Sequence, residues 1–207
     1  MAKLFSYVVD HDYGYAPNPE KGLCTLAKCK YGTKKRNIVE IAQVGDWLAG
    51  TGGADPKKSA GHGKLVYAMR VDDKTTLGDF CRSNDRIDAT YDIPVKGRSA
   101  LLSGHFFYFG RNAIKISEIP TEHLDYEFEK TGPGYRCDFS EEFVEDFANW
   151  LQDNFKTGVH GGRGKRVRSR FGRLGKSFFP RLVFWLLTRM ALSQRIYGIF
   201  AIAATAA

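Results

Sequence analysis

The sequence predicts an α+β fold: a small, strongly curved sheet or barrel with a C-terminal amphipathic helix, plus a basic and apolar tail outside it. Three observations predict this. Short runs of β-branched and aromatic residues, such as LFSYVV at 4–9, KLVYAMRV at 64–71 and HFFYF at 105–109, recur between turn-rich loops and read as strands. Behind Ser140, the apolar residues Phe143, Phe147, Trp150 and Leu151 fall at helical spacing and form one stripe. Of the 31 Lys and Arg, ten lie in residues 163–207, where no Asp or Glu occurs, so residues 1–162 hold all 23 acids and are nearly neutral. That asymmetry divides the chain into a body, 1–162, and a tail, 163–207.

Taken in order, Leu4 to Val9 is the first strand, ended by the charges of Asp10, His11 and Asp12. Residues 14–19 form a loop, because Pro17 and Pro19 exclude helix. Leu23 to Ala27 is a second short extended piece, followed by a basic stretch from Lys28 to Arg36. A Gly45-Asp46 turn opens a strand through Trp47, and Gly50-Thr51-Gly52-Gly53 closes it. A Gly/Lys loop leads to the strand at 64–71, whose alternation puts Leu65, Tyr67 and Met69 on one face. Residues 76–82 suit a short helix. The strand at 105–109, a turn at Gly110-Arg111-Asn112 and a strand at 113–116 suggest a hairpin. Ser140 caps the terminal helix, Glu141 and Glu142 suit its positive end, and Gly158 stops it. About five or six strands and two helices follow, without the βαβ alternation of a doubly wound sheet.

A hydrophobic content of 43% and an aromatic content of 14% support a real core and exclude compositional disorder. The N-terminus has no small-residue cleavage site and does not read as a signal peptide. A cytoplasmic location and reduced thiols are therefore expected for Cys24, Cys29, Cys81 and Cys137. Cys24 and Cys29 would need His62 or His105 to complete a zinc site, and buried small thiols are the preferred reading. No metal and no cofactor is expected.

The chain contains no P-loop, no G-x-S-x-G, no H-E-x-x-H, and no H-x-E paired with P-C-x-x-C. The Gly50–Gly53 segment could present N–H groups to a phosphate, although plain turns are the commoner use of such clusters. The Trp47 strand and the Tyr67 strand, lying side by side, would leave a cleft near Thr51 bordered by the loop after the first strand. There Trp47, Tyr67 and Tyr15 could sandwich a flat base, an interaction worth about 1–3 kcal/mol per base. The competing reading makes Trp47 and Tyr67 ordinary core. Asn18, held between two prolines, offers an amide that matches a base edge. Asp10, His11, Asp12, Thr25 and Asp46 are the polar groups of an enzymatic alternative, with His11 as base and a neighbouring acid as its orienter. Solvated turn charges are the preferred reading of that run.

Three blocks carry a resemblance: residues 4–19 with 22–30, Val44 to Gly52, and Gly63 to Val71. Together they resemble the second type of nucleotide modification associated domain, over about residues 3–160 and none of the tail. The resemblance implies a link to modified bases in DNA, in bacteria and their phages, and it implies no particular reaction. More distantly, the Gly-Asp turn and its strand resemble the PUA-like group (EVE, YTH and ASCH domains), small barrels that read modified bases in an aromatic pocket.

The expected function is therefore recognition of a modified or flipped base in DNA. An enzyme acting on a nucleotide or base is one alternative, and a partner subunit of a base-modification complex is another. The expected partners are DNA or a nucleotide, together with base-modification enzymes. Lys34, Lys35, Arg36, Arg163 and Arg166 are the expected contacts to the phosphate backbone. Beyond Phe178 the tail is largely apolar, but Arg181, Arg189 and Arg195 interrupt it, and a central Arg costs about 2.5–3.5 kcal/mol in a membrane. An unanchored tail or a translated non-native reading frame ranks first, a helix lying on a membrane second and a span third.

Overall fold

The structure is a computed structural model that describes residues 2–14, 16–27, 37–76, 79, 99–124 and 127–163. The chain divides into two units, Met1–Arg166 and Val167–Ala207, and the description below is of the first. The expected helix at 76–82 and the tail from residue 164 onward fall outside the described residues, apart from Thr76, which ends a strand, and Asp79.

Eleven strands are present among the described residues, arranged in two sheets. The larger sheet contains β1 (Leu4–Val9), β4 (Trp47–Gly52), β5 (Lys64–Arg70), β8 (Phe106–Tyr108), β9 (Ile114–Lys115), β10 (Tyr135–Arg136) and β11 (Gly158–Val159). Its order is β10-β1-β4-β5-β8-β11, with β9 also on β5, so the sheet is open along this path. The smaller sheet runs β2 (Asn18–Glu20), β3 (Leu23–Ala27), β7 (Ser99–Ser103) and β6 (Asp73–Thr76). A four-residue helix, α1 (Ile38–Ile41), and the long α2 (Glu141–Asn154) complete the fold, which is α+β with one main helix.

Two apolar layers flank the larger sheet. On one side Phe5, Tyr7, Leu48, Met69 and Phe106 meet Cys24, Leu26 and Leu101 of the smaller sheet. On the other, Leu4, Trp47, Ala68 and Phe107 lie under Phe143, Phe147 and Leu151 of α2. Strands covered on both faces lose the alternation of a half-exposed strand. Accordingly, all six residues of β4 are buried. The helix starts as its sequence indicates: the Ser140 hydroxyl accepts from the Phe143 amide at 3.2 Å. Phe143 and Phe147 are fully buried, and Trp150 is half-buried against Phe147 and Phe155. The helix ends at Asn154, with Phe155 as its C-cap, so Gly158 begins β11 instead of stopping the helix.

Two expectations are corrected here. Leu65 does not share a face with Tyr67 and Met69. Opposite Gly50 and Thr51 stand Tyr67 and Leu65, so Val66 is an extra residue, a bulge that turns Leu65 to the α2 side. The segments 105–109 and 113–116 do not form a hairpin. β8 pairs with residues 67–69 and β9 with residues 64–65, so the two lie end to end along β5. A 3-10 turn at Gly110–Asn112 joins them, and β11 takes the free edge of β8 in parallel register.

Candidate functional site

The site is built where β1 ends. The chain leaves Val9 through Asp10 and His11, a pair 3.1 Å apart and largely exposed, as expected for solvated turn charges. Asp12 departs from that expectation, because it is only 3% exposed. Its amide donates to the Lys58 carbonyl at 2.8 Å, which ties the loop after β1 to the loop after β4. Its two carboxylate oxygens accept from the Tyr108 hydroxyl at 2.6 and 2.7 Å. Burial pushes the Asp12 carboxyl above its ordinary value, while the Tyr108 bond and the charges of Arg163 and Arg111 pull it back down. Tyr108 is pushed upward by burial and by the same carboxylate. Beside them the Cys24 thiol is raised by burial, with Arg163 opposing and Asp12 reinforcing that shift.

Arg163 covers this cluster from the C-terminal side. After β11, the His160 amide donates to the Tyr108 carbonyl at 2.8 Å and the Arg111 amide donates to the Gly162 carbonyl at 2.9 Å. The strap thus delivers Arg163, whose Nη2 donates to Asn18 Oδ1 at 3.2 Å and to the Pro19 carbonyl at 2.7 Å. Its stem lies on Gly14, whose φ of +75° favours glycine there. Asp12, Tyr108, Asn18 and Arg163 therefore come together from four separate stretches of sequence.

The predicted residues separate into groups. Asn18 reaches this cluster through Arg163. Tyr67 is fully buried between the sheets, and its hydroxyl shares a hydrogen bond with that of Tyr7. Thr51 is buried and donates to the Tyr7 carbonyl at 3.3 Å. Trp47 lies on the other side of the sheet, packed on Phe107, Phe147 and His105 under α2. A single cleft bordered by both Trp47 and Tyr67 is therefore excluded: their strands pair antiparallel, and the two rings take opposite faces. Two clefts, of about 560 Å³ beside Phe5, Asp46 and Tyr135 and about 770 Å³ beside Gly63, Ile116 and Phe128, are lined by none of Asn18, Trp47, Thr51 or Tyr67. Tyr15, Lys34, Lys35, Arg36 and Arg166 lie outside the described residues.

Other readings are settled by placement. Gly50 and Gly52 belong to β4, and the Gly53 amide donates to Ser59 Oγ, so the segment is strand and not an open phosphate turn. Asp46 is structural: it accepts from the amides of Lys3 and Gln43 at 2.8 and 2.9 Å and fixes the Gly-Asp turn. Cys24 faces the inter-sheet core while His105 packs on Trp47, so these two do not converge, and His62 pairs with Glu129. No group of three or more metal-ligating side chains occurs among the described residues. No helix among them is long and apolar enough to cross a membrane. The sequence carries no local signal that marks Tyr108 or Arg111 as site residues. Arg163, expected to contact the phosphate backbone, directs its Nη2 to Asn18 and Pro19.

Comparison with known proteins bears on this geometry. The family model described as nucleotide modification associated domain 2 matches residues 1–96 and 85–168, which include every residue of the cluster. No curated protein matches the chain, and no solved structure matches it.

Proposed function

The chain belongs to the nucleotide modification associated domain 2 family, and we propose that it recognises a modified or flipped base in DNA at the Asp12–Asn18–Arg163 cluster, without catalysing a reaction. The observation that carries this reading is the convergence of a carboxylate, a carboxamide and a guanidinium at the ends of β1, β2 and β11. These are planar hydrogen-bonding groups of complementary polarity, the set that reads donors and acceptors on a base edge. Recognition on this reading is by hydrogen bonding and not by a Trp47–Tyr67 sandwich, since those rings are occupied in two separate cores.

Fluorescence anisotropy of the full chain with modified and unmodified oligonucleotides tests this. The expected result is modification-dependent binding that weakens about tenfold or more in Asn18→Ala, the loss of one hydrogen bond to a charged or planar partner being worth about 1.5 kcal/mol. Equal affinity for every oligonucleotide, or an Asn18→Ala variant that binds as the parent does, would sink the reading. The enzyme alternative is favoured by one observation, the buried Asp12 carboxylate bonded to Tyr108, whose burial holds the carboxyl above its ordinary value. A mass change in an incubated nucleotide, absent in Asp12→Asn, would select it over the non-catalytic reading.

A further inference from the structure

We propose that Arg111 and Arg163 form a phosphate clamp beside this cluster, so that its ligand is a phosphorylated nucleotide and not a free base or nucleoside. The proposal rests on the base-recognition reading above and deepens it: the recognised base is bound together with its phosphate. Arg111 stands on the 3-10 turn Gly110–Asn112, and Arg163 on the strap that follows β11. Three bonds lock turn to strap: the Arg111 amide to the Gly162 carbonyl at 2.9 Å, Arg111 Nε to the Arg163 carbonyl at 3.2 Å, and Asn112 Nδ2 to the His160 carbonyl at 2.8 Å. A Cβ on Gly110 would stand 2.4 Å from the Gly162 carbonyl oxygen, so the two backbones touch. Two guanidinium groups are thus carried on adjacent, mutually fixed backbone.

Their donors are only partly used. Arg163 spends Nη2 on Asn18 and Pro19, and Arg111 spends Nε on the strap. Among the described residues, Arg111 Nη1 and Nη2 and Arg163 Nε and Nη1 have no hydrogen-bond partner, and neither arginine makes an ion pair. Asp12 is the carboxylate whose charge both feel, and it is already bonded to Tyr108. A guanidinium presents its donors in a fixed fork that matches two phosphate oxygens, and holding that fork in place beforehand lowers the ordering cost of binding.

The test uses the full chain and four probes: inorganic phosphate, pyrophosphate, the four 2′-deoxynucleosides and their 5′-monophosphates, with binding read by calorimetry. At least one monophosphate is expected to bind about tenfold or more tighter than its nucleoside, and Arg111→Gln to remove that ratio while Arg111→Lys keeps part of it. Arg111 is exposed, so the variants are expected to fold, and their circular dichroism checks this. A nucleoside that binds as well as its monophosphate, or a ratio unchanged in Arg111→Gln, overturns the clamp. If inorganic phosphate or pyrophosphate binds as tightly as any nucleotide, and Arg111→Gln abolishes both, the clamp stands while the base reading falls. Binding of none of the probes, inorganic phosphate included, overturns the clamp.

Discussion

Gly50→Ala places one methyl group against the centre of the inter-sheet core. A Cβ at residue 50 would stand 2.2 Å from Tyr67 Cε1, 2.5 Å from Tyr67 Cδ1 and 2.6 Å from Val9 Cγ2. Carbon atoms in contact prefer about 3.5–4.0 Å, so the Tyr67 ring must retreat by more than about 1 Å. It has no free space for that: Tyr67 is fully buried, and its hydroxyl is tied to that of Tyr7. Overpacking of this kind costs about 1–3 kcal/mol, and losing the hydroxyl bond adds about 0.5–1.5 kcal/mol. Alanine restricts the unfolded chain and returns about 0.4–1 kcal/mol, since Gly50 is not among the residues with positive φ. A net loss of about 0.5–4 kcal/mol remains, which for a domain of this size lowers the melting temperature by about 2–4 °C per kcal/mol. Calorimetric melting of Gly50→Ala, of Gly132→Ala and of Gly50→Ala in a Tyr67→Leu background measures it. Gly132 has nothing within 4 Å of a built Cβ, so that variant is expected to melt at or slightly above the parent. A Gly50→Ala loss below about 0.5 kcal/mol, or one undiminished beside Leu at 67, would refute the claim that the missing Cβ seats the Tyr67 ring.

Two further outcomes follow from the geometry. His105 has a buried Nε2 without a partner among the described residues, and burial with Arg70 nearby holds its pKa below the ordinary 6.5 while Asp72 opposes. Its contribution to stability is therefore complete above pH 6.5 and is lost as pH falls through the lower folded value, so the melting temperature of the parent should drop more steeply below pH 6.5 than that of His105→Gln; parallel curves would refute it. For the division into body and tail, a chain ended after Arg163 is proposed to melt within about 2 °C of the full chain. One ended after Gly162, lacking the bonds to Asn18 and Pro19, should melt about 2–4 °C lower, roughly 1 kcal/mol for a partly exposed guanidinium. Equal melting of the two shortened chains would show that Arg163 contributes nothing to the body.

Legibility in the sequence depended on whether a signal was local. β1, β3, β5 and α2 could be read because each is a run of the right residues ended by a recognisable turn or cap, and Ser140 with its stripe is a wholly local code. β10 and β11 could not, because two residues carry no periodicity and exist as strands only through their partners, β1 and β8. Residues 105–116 read as a hairpin for the same reason: which strand takes which edge is set by β5, far away in sequence. Gly110-Arg111-Asn112 reads equally well as a hairpin turn or as a connector along one strand.

The site was harder to read, and each miss has a physical origin. Alternation assigns residues to two faces of a strand, but when both faces are buried it cannot say which layer a face meets. Trp47 and Tyr67 are both large aromatics on neighbouring strands, and only the α2 layer on one side and the smaller sheet on the other separate them. Asp12 follows two exposed polar residues, and charged runs are solvated by default; its burial comes from the Lys58 carbonyl and the Tyr108 hydroxyl, 46 and 96 positions later in the chain. Arg163 opens a basic stretch and so reads as linker, yet the pairing of two residues of β11 with β8 turns the strap inward. Asn18 stands out in the sequence because Pro17 and Pro19 flank it, and it opens β2. The common cause is that an isolated polar residue acquires its role from the partner that satisfies it. A buried carboxylate, a folded-back guanidinium and a paired tyrosine are facts about pairs, and a sequence lists its residues one at a time.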